Sequence, residues 1–221
     1  MKITAEFVKS AASETDFPPK GTSAIALVGR SNVGKSSLIN ALVRCRVART
    51  SATPGKTRLA NIYRVVRGSL PPLDVIDLPG YGYARGGTSG FDELTRAIFG
   101  QERQDGKNFP VRTAVERALL LVDARHPGLT NDVAAWKWLQ EVATNCAIVA
   151  TKTDKLARGQ RIRALRELES VFDDSVLPVS AVTGEGLDDL WKLIDTLTNR
   201  KPTPPSRTPH AETAPPRHPN V

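Results

Sequence analysis

The octet Gly29–Ser36, GRSNVGKS, constrains this chain more than any other segment. It fits the pattern G-x-x-x-x-G-K-[S/T]. It stands directly after Ser23–Gly29 (SAIALVG), which reads as a strand, and opens Lys35–Arg44, which reads as a helix. In that setting Gly29 and Gly34 let the backbone wrap closely around phosphates, while Arg30, Ser31, Asn32 and Val33 present N–H donors near a helix N-terminus. Lys35 is expected to reach the β- and γ-phosphates and the Ser36 hydroxyl to ligate Mg²⁺.

A phosphate loop of this kind belongs at the carboxyl end of a parallel strand, and the rest of the chain supplies the sheet. Ala60–Val66, Leu73–Asp77, Leu119–Asp123, Cys146–Thr151 and Val176–Ser180 read as further strands, the central ones continuously apolar as befits strands covered on both faces. Asn131–Ala143, with Thr130 or Asn131 as N-cap, Gln160–Val171 and Leu187–Leu197 read as helices. The expected fold is a three-layer α/β P-loop fold: a mostly parallel six-stranded sheet with helices on both faces. Residues 1–21 read as an N-terminal extension, 22–199 as the nucleotide-binding domain and 200–221 as a disordered tail. That last segment holds seven of the 16 prolines and almost nothing apolar. The longest apolar runs, Ala118–Val122 and Cys146–Ala150, are too short to span a bilayer, and Met1–Lys20 has no signal-like apolar core. With only Cys45 and Cys146, read as buried thiols rather than a disulfide, a monomeric cytoplasmic protein without membrane partners is expected.

Three further segments narrow the nucleotide. Asp77–Gly80 (DLPG) ends a strand: Asp77 can hold a Mg²⁺ water, Leu78 and Pro79 make the turn, and the Gly80 N–H can sense a γ-phosphate. Thr151–Asp154 (TKTD) ends the fifth strand. The Asp154 carboxylate can accept two N–H donors from guanine, which adenine cannot offer, and the Lys152 stem can pack along the base beside Thr153. Val179, Ser180 and Ala181 end the sixth strand, where the Ala181 N–H can bond the guanine carbonyl. Each segment is weak alone, but four in order, each at a strand's carboxyl end, make one crevice site. GTP and GDP are the expected ligands.

The chain resembles the EngB (YihA/YsxC) family of bacterial ribosome-biogenesis GTPases, within the Era-like translation-factor class. The matching text is FVKSAA at Phe7–Ala12, FPP at Phe17–Pro19, GRSNVGKSSLINAL, TPGKT at Thr53–Thr57, DLPGYGYA at Asp77–Ala84, DARHP at Asp123–Pro127, TKTDKL at Thr151–Leu156 and GEGLDDL at Gly184–Leu190. The resemblance spans about Phe7 to Leu197. It implies that Thr57 is the switch I threonine completing Mg²⁺ coordination, flanked by the nucleotide-binding residues Gly55, Lys56, Arg58 and Leu59. It places switch II at Tyr81–Gly90 and assigns Lys35, Thr57 and Gly80 to catalysis. It also implies a role in large ribosomal subunit assembly, with ribosomal RNA or a subunit precursor as partner, and a need for the protein in cell division and septation. Gly86–Pro110 departs from the family's aromatic-rich pattern. Tyr81 stands where many switch GTPases carry a water-orienting Gln, so intrinsic hydrolysis is expected to be slow. Asn32 reads either as a K⁺ ligand, as in related Era-like GTPases, or as a loop-stabilising amide.

Charge is unevenly placed. No acidic residue occurs from Phe17 to Leu73, while Lys20, Arg30, Lys35, Arg44, Arg46, Arg49, Lys56, Arg58, Arg64 and Arg67 fall there. Arg44, Arg46, Arg49, Arg58, Arg64 and Arg67 are read as an RNA-facing surface. His126 reads as a loop residue rather than a general base, and Trp191 as core. Trp136 and Trp138, two apart on a helix, cannot both be core residues. Two readings compete with a ribosome-directed GTPase: a P-loop phosphotransferase, which leaves TKTD unexplained, and a nucleotide-dependent scaffold for division proteins.

Overall fold

The computed structural model describes residues 2–13, 16–19, 22–49, 59–81, 98–99, 101–104, 107–110 and 115–200. Its strands are β1 Ile3–Ala11, β2 Ala24–Gly29, β3 Ala60–Arg67, β4 Leu73–Asp77, β5 Gln101–Gln104, β6 Lys107–Pro110, β7 Arg117–Asp123, β8 Asn145–Thr151 and β9 Val176–Pro178. The helices are α1 Lys35–Val43, α2 Thr130–Val142, α3 Arg158–Phe172 and α4 Leu187–Leu197. Seven strands form one sheet in the order β1-β3-β4-β2-β7-β8-β9, and β5 and β6 pair as a separate antiparallel hairpin. From β4 through β9 every neighbouring pair in the main sheet is parallel, while β3 pairs antiparallel to both β1 and β4.

Strand periodicity sorts the core into two layers. Ala24, Ala26 and Val28 of β2 and Ala118, Leu120 and Val122 of β7 face one side, where Trp136 and Leu139 of α2 and Leu168 and Phe172 of α3 cover them. Ile25, Leu27, Leu119 and Leu121 face the other, under Leu38, Ile39 and Leu42 of α1 and Leu190, Trp191 and Ile194 of α4. Burial on both faces is what makes these strands continuously apolar.

The sheet has seven strands where six are expected. Ile3–Ala11, assigned to an extension by its sequence, is the antiparallel edge strand. Its pattern is faint because Ala11 is its one buried residue, and a register shift between Phe7 and Lys9 breaks the alternation. Helix α2 begins one residue earlier than expected. Its N-cap is Leu129, without a side-chain cap, rather than Thr130 or Asn131. Cys45 is exposed rather than buried, because α1 ends at Val43; both cysteines are free thiols. Trp136 is buried, while Trp138 is half-buried with its ring edge-on to Phe99. Arg200, expected to open the disordered tail, is instead buried and donates to the Pro71 carbonyl at 2.7 Å; residues 201–221 lie outside the described residues.

Trp191 joins three elements: its ring lies 4.5 Å from the Arg67 guanidinium of β3, and its Nε1 donates to the Leu42 carbonyl of α1 at 3.3 Å. Trp191→Ala is expected to cost roughly 3–5 kcal/mol in urea unfolding. Phe7→Ala, at a side chain left 51% exposed, should stay within about 1 kcal/mol of the parent. Similar losses at both positions would contradict this division of the core.

Candidate nucleotide site

Strand β2 ends in the loop Arg30–Gly34, which turns directly into α1. Two backbone features shape it. A Cβ on Gly29 would lie 2.8 Å from the Leu121 carbonyl of β7, so only glycine permits this approach. Asn32 (φ 63°) and Gly34 (φ 111°) take the left-handed conformation, and the space beside Gly34 is open. Lys35 folds back over the loop, its Nζ donating to the Gly29 carbonyl at 3.0 Å and the Arg30 carbonyl at 3.4 Å. Burial pushes the Lys35 ammonium pKa down, opposed by the charge of Asp77.

Asp77 closes β4 beside the start of α1. The Ser36 hydroxyl donates to its Oδ2 at 2.7 Å. The carboxyl is pushed up by burial, against Lys35 and the Ser36 hydrogen bond. Its Oδ1 is buried with no hydrogen-bond partner among the described residues. One hydroxyl and one carboxylate with a spare buried oxygen form the hard-oxygen donor set that suits Mg²⁺, so the residues fit the ion. Beyond Leu78 and Pro79 the chain meets the P-loop. The Ser31 hydroxyl donates to the Gly80 carbonyl at 3.4 Å, and the Ser31 N–H to the Tyr81 carbonyl at 3.2 Å. A Cβ on Gly80 would fall 2.5 Å from the Ser31 nitrogen.

The end of β8 lies across β7 from the loop and is tied to it. The Thr151 hydroxyl stands 2.7 Å from the Val33 carbonyl and 3.1 Å from the Val122 carbonyl. Lys152, itself left-handed at φ 60°, donates to the Asn32 carbonyl at 2.6 Å and to Asp123 Oδ2 at 3.0 Å. Thr153 bonds the Val179 carbonyl at 3.0 Å, fastening the turn Thr153–Lys155 to the end of the ninth strand. Asp154 Oδ1 accepts from the Ser180 hydroxyl at 2.8 Å, while Lys155 stands 3.4 Å from Oδ2. The Ser180 oxygen also receives the Val182 and Thr183 N–H groups, which folds Ser180–Ala181 under the carboxylate. Burial pushes the Asp154 pKa up, but these hydrogen bonds prevail and hold it below the usual carboxylate range.

Comparison with known proteins bears on this geometry. The profile of the family described as 50S ribosome-binding GTPase matches residues 24–152. The EngB GTP-binding protein of Pelotomaculum thermopropionicum is 39% identical over 200 residues, 88% of this chain and 96% of its own. That of Thermotoga maritima is 39% identical over 196 residues, covering 87% and 95%. The chain belongs to the EngB family of GTP-binding proteins. Among solved structures, Era in complex with MgGDPNP and nucleotides 1506-1542 of 16S ribosomal RNA superposes with a TM-score of 0.64. It is 20% identical and covers 80% of this chain and 57% of that one, which is a likeness of fold.

In this EngB-family chain the structure brings Gly29–Ser36, Asp77–Gly80, Thr151–Asp154 and Val179–Ala181 to one end of the sheet. Leu59 is exposed at the start of β3. Gly55, Lys56, Thr57 and Arg58, and all of the expected switch II beyond Tyr81, lie outside the described residues. Two of the six arginines assigned to an RNA surface are occupied within the fold. Arg64 forms a two-pronged pair with Asp74 at 2.9 Å, and Arg67 is 8% exposed, paired with Asp195 of α4. Arg44, Arg46 and Arg49 are exposed.

Sequence reasoning missed Asp123 as a site residue, taking it only as the end of a strand. It is 3% exposed and receives Lys152 at 3.0 Å and both prongs of Arg125 at 2.8 and 2.9 Å. The signal was there in DARHP, an acid two residues before an arginine at a strand end. Burial pushes the Asp123 carboxyl up, but hydrogen bonds from Arg125 and Lys152 outweigh it and hold the group far below the usual range. A carboxyl depressed in this way adds stability that is complete above its unfolded pKa, about 3.9, and is lost as pH falls toward its folded pKa. Asp123→Asn is expected to cost about 2 kcal/mol near pH 7. The gap to the parent should begin closing below about pH 4 and continue closing toward pH 2. Urea unfolding across that range measures it, and a gap independent of pH would show that the pairing is not electrostatic.

Proposed function

We propose that this chain is a Mg²⁺-dependent GTPase switch that acts on large-subunit ribosomal RNA or a subunit precursor. Assembly of the large subunit is the setting, and normal cell division and septation depend on it. The observation that carries the nucleotide part is the join between the two halves of the crevice. Thr151 and Lys152 of TKTD bond the Val33 and Asn32 carbonyls of the phosphate loop, so one rigid frame holds base-reading and phosphate-binding groups.

Within that frame each residue has a defined task. Lys35 and the loop amides at Asn32 and Gly34 hold the phosphates, Lys35 exchanging its carbonyl contacts for phosphate oxygens. Ser36 would hold Mg²⁺ directly and Asp77 through a bound water, with Thr57 completing the set in the GTP state. When bound, the ion neutralises charge on the β- and γ-phosphates. Gly80 presents its N–H to the γ-phosphate. Asp154, held by Ser180 and kept ionised, accepts the two guanine N–H groups, and Ala181 offers its N–H to the guanine carbonyl. Asn32 has an exposed, left-handed position suited to a K⁺ ligand. Tyr81 follows Gly80 where many switch GTPases carry a water-orienting residue, and its side chain lies in the core, which supports slow intrinsic turnover. A phosphotransferase leaves the Asp154–Ser180 pair unexplained, and GTP turnover with and without ribosomal subunits separates the switch from a nucleotide-dependent scaffold.

Asp154→Asn replaces an acceptor by an amide and should move preference from guanine to xanthine nucleotides. Displacement of labelled GDP by ATP, GTP and XTP reads this, and ATP competing as well as GTP in the parent would end the assignment.

The RNA part rests on family membership and on the loop after α1. Asn40 clamps that loop, its Nδ2 donating to the Ala48 carbonyl at 2.8 Å and its Oδ1 accepting the Val47 and Ala48 N–H groups at 2.9 and 2.8 Å. Arg46 and Arg49 flank the clamp with exposed side chains, so their charges are presented from a fixed backbone. Arg64 and Arg67 are left out of this surface. Binding to large-subunit RNA should weaken with salt by a log–log slope of about −0.7 to −0.9 per phosphate contact. Arg46→Glu with Arg49→Glu should flatten that slope and leave GTP affinity within about twofold. An unchanged slope would move the RNA-facing surface elsewhere.

A further inference from the structure

Two buried polar groups beside the phosphate loop have no task in the reading above. Asp132, on the first turn of α2, is 1% exposed, and the Tyr81 ring, 7% exposed, belongs to the core between the sheet and α2 and α3. The Tyr81 hydroxyl donates to Asp132 Oδ1 at 2.8 Å, and Arg30 Nε stands 3.3 Å from the same oxygen. Tyr81 directly follows Gly80, and Arg30 directly follows Gly29. One buried carboxylate therefore joins α2, the phosphate loop and the turn after β4.

Backbone contacts run parallel to this link. Arg30 and Tyr81 form an isolated parallel bridge, Ser31 bonds the Gly80 and Tyr81 carbonyls, and Gly80 is packed so closely on Ser31 that no side chain fits. The Gly80–Tyr81 peptide is thus fixed on two sides, by Ser31 along the backbone and by Asp132 through the phenol. Burial pushes the Asp132 carboxyl up, while Tyr81 and Arg30 pull it down; the phenol is pushed far up, by burial first and then by Asp132, so it remains a donor. A buried charge with partners on two elements is costly to separate from either.

We propose that Tyr81, Asp132 and Arg30 form a positioning unit for GTP hydrolysis, fixing Gly80 and Tyr81 against Arg30–Ser31 so that the Gly80 N–H, carried by the preceding Pro79–Gly80 peptide, is aimed at the γ-phosphate. Tyr81 then serves as an anchor where other switch GTPases carry a water-orienting residue. The proposal rests on the reading of Gly80 given above. Only GTP carries the γ-phosphate, so the unit acts on GTP affinity and turnover and not on GDP.

The test uses the full chain with Mg²⁺, titrated with GDP and with a non-hydrolysable GTP analogue, alongside single-turnover GTP hydrolysis. Tyr81→Phe removes the hydroxyl alone. It is expected to lower analogue affinity and the hydrolysis rate about tenfold while GDP affinity stays within twofold. Asp132→Asn keeps an acceptor for Tyr81 but loses the charge facing Arg30, and should lose about threefold. The double variant should be no worse than Tyr81→Phe, because both changes break one unit. Thermal unfolding with GDP bound separates a folding defect from a positioning one. In Tyr81→Phe, an analogue affinity that is unchanged, raised, or lowered equally with that of GDP overturns the proposal. A parent chain that binds GDP but does not distinguish it from the GTP analogue would overturn the reading of Gly80 instead.

Discussion

Two hydrogen bonds from the end of β8 to the loop after β2 hold the candidate site together. Thr151 reaches the Val33 carbonyl and Lys152 the Asn32 carbonyl, both across the end of β7. This span is possible because β2 and β8 flank β7 in register: Gly29 pairs with Leu121, and Asp123 with Thr151. Strand β7 therefore extends two residues beyond Gly29. That places Asp123 beside Lys152, where its carboxylate neutralises the lysine. Without the parallel register the phosphate and base segments would be separate loops of no particular specificity.

The frame around this join is apolar packing on both sheet faces, but its corners are polar and buried. Asp77, Asp123 and Asp132 are each no more than 3% exposed, and each meets a cation or hydroxyl from a different element. Removing the partner of such a group is costly, because it leaves a buried charge uncompensated.

Charge shows how a pattern along the chain differs from a pattern in space. The stretch from Phe17 to Leu73 has no acid, yet Arg64 meets Asp74 from the neighbouring strand and Arg67 meets Asp195 from α4. The neighbouring strand and α4 bring in the missing carboxylates, and among the described residues of the stretch exposed arginines remain in the loop after α1. There Asn40 fixes the backbone beneath Arg46 and Arg49.

The local signals of this sequence were strong wherever one residue type serves one backbone need. The phosphate loop, the two-faced strands, the Leu187–Leu197 helix and the glycines of GRSNVGKS and DLPG were legible from spacing alone, because steric demands on a tight turn and burial on both faces act on neighbours in the chain. What the sequence left open depended on partners far along it. The edge strand Ile3–Ala11 buries too little to leave an alternating pattern, and only pairing with β3 defines it. Asp132 looks like any acid in the first turn of a helix until α2 packs beside Arg30 and Tyr81. Asp123 looks like the last residue of a strand until β8 delivers Lys152. Buried electrostatics is set by distance in space, and only the tertiary structure fixes that distance.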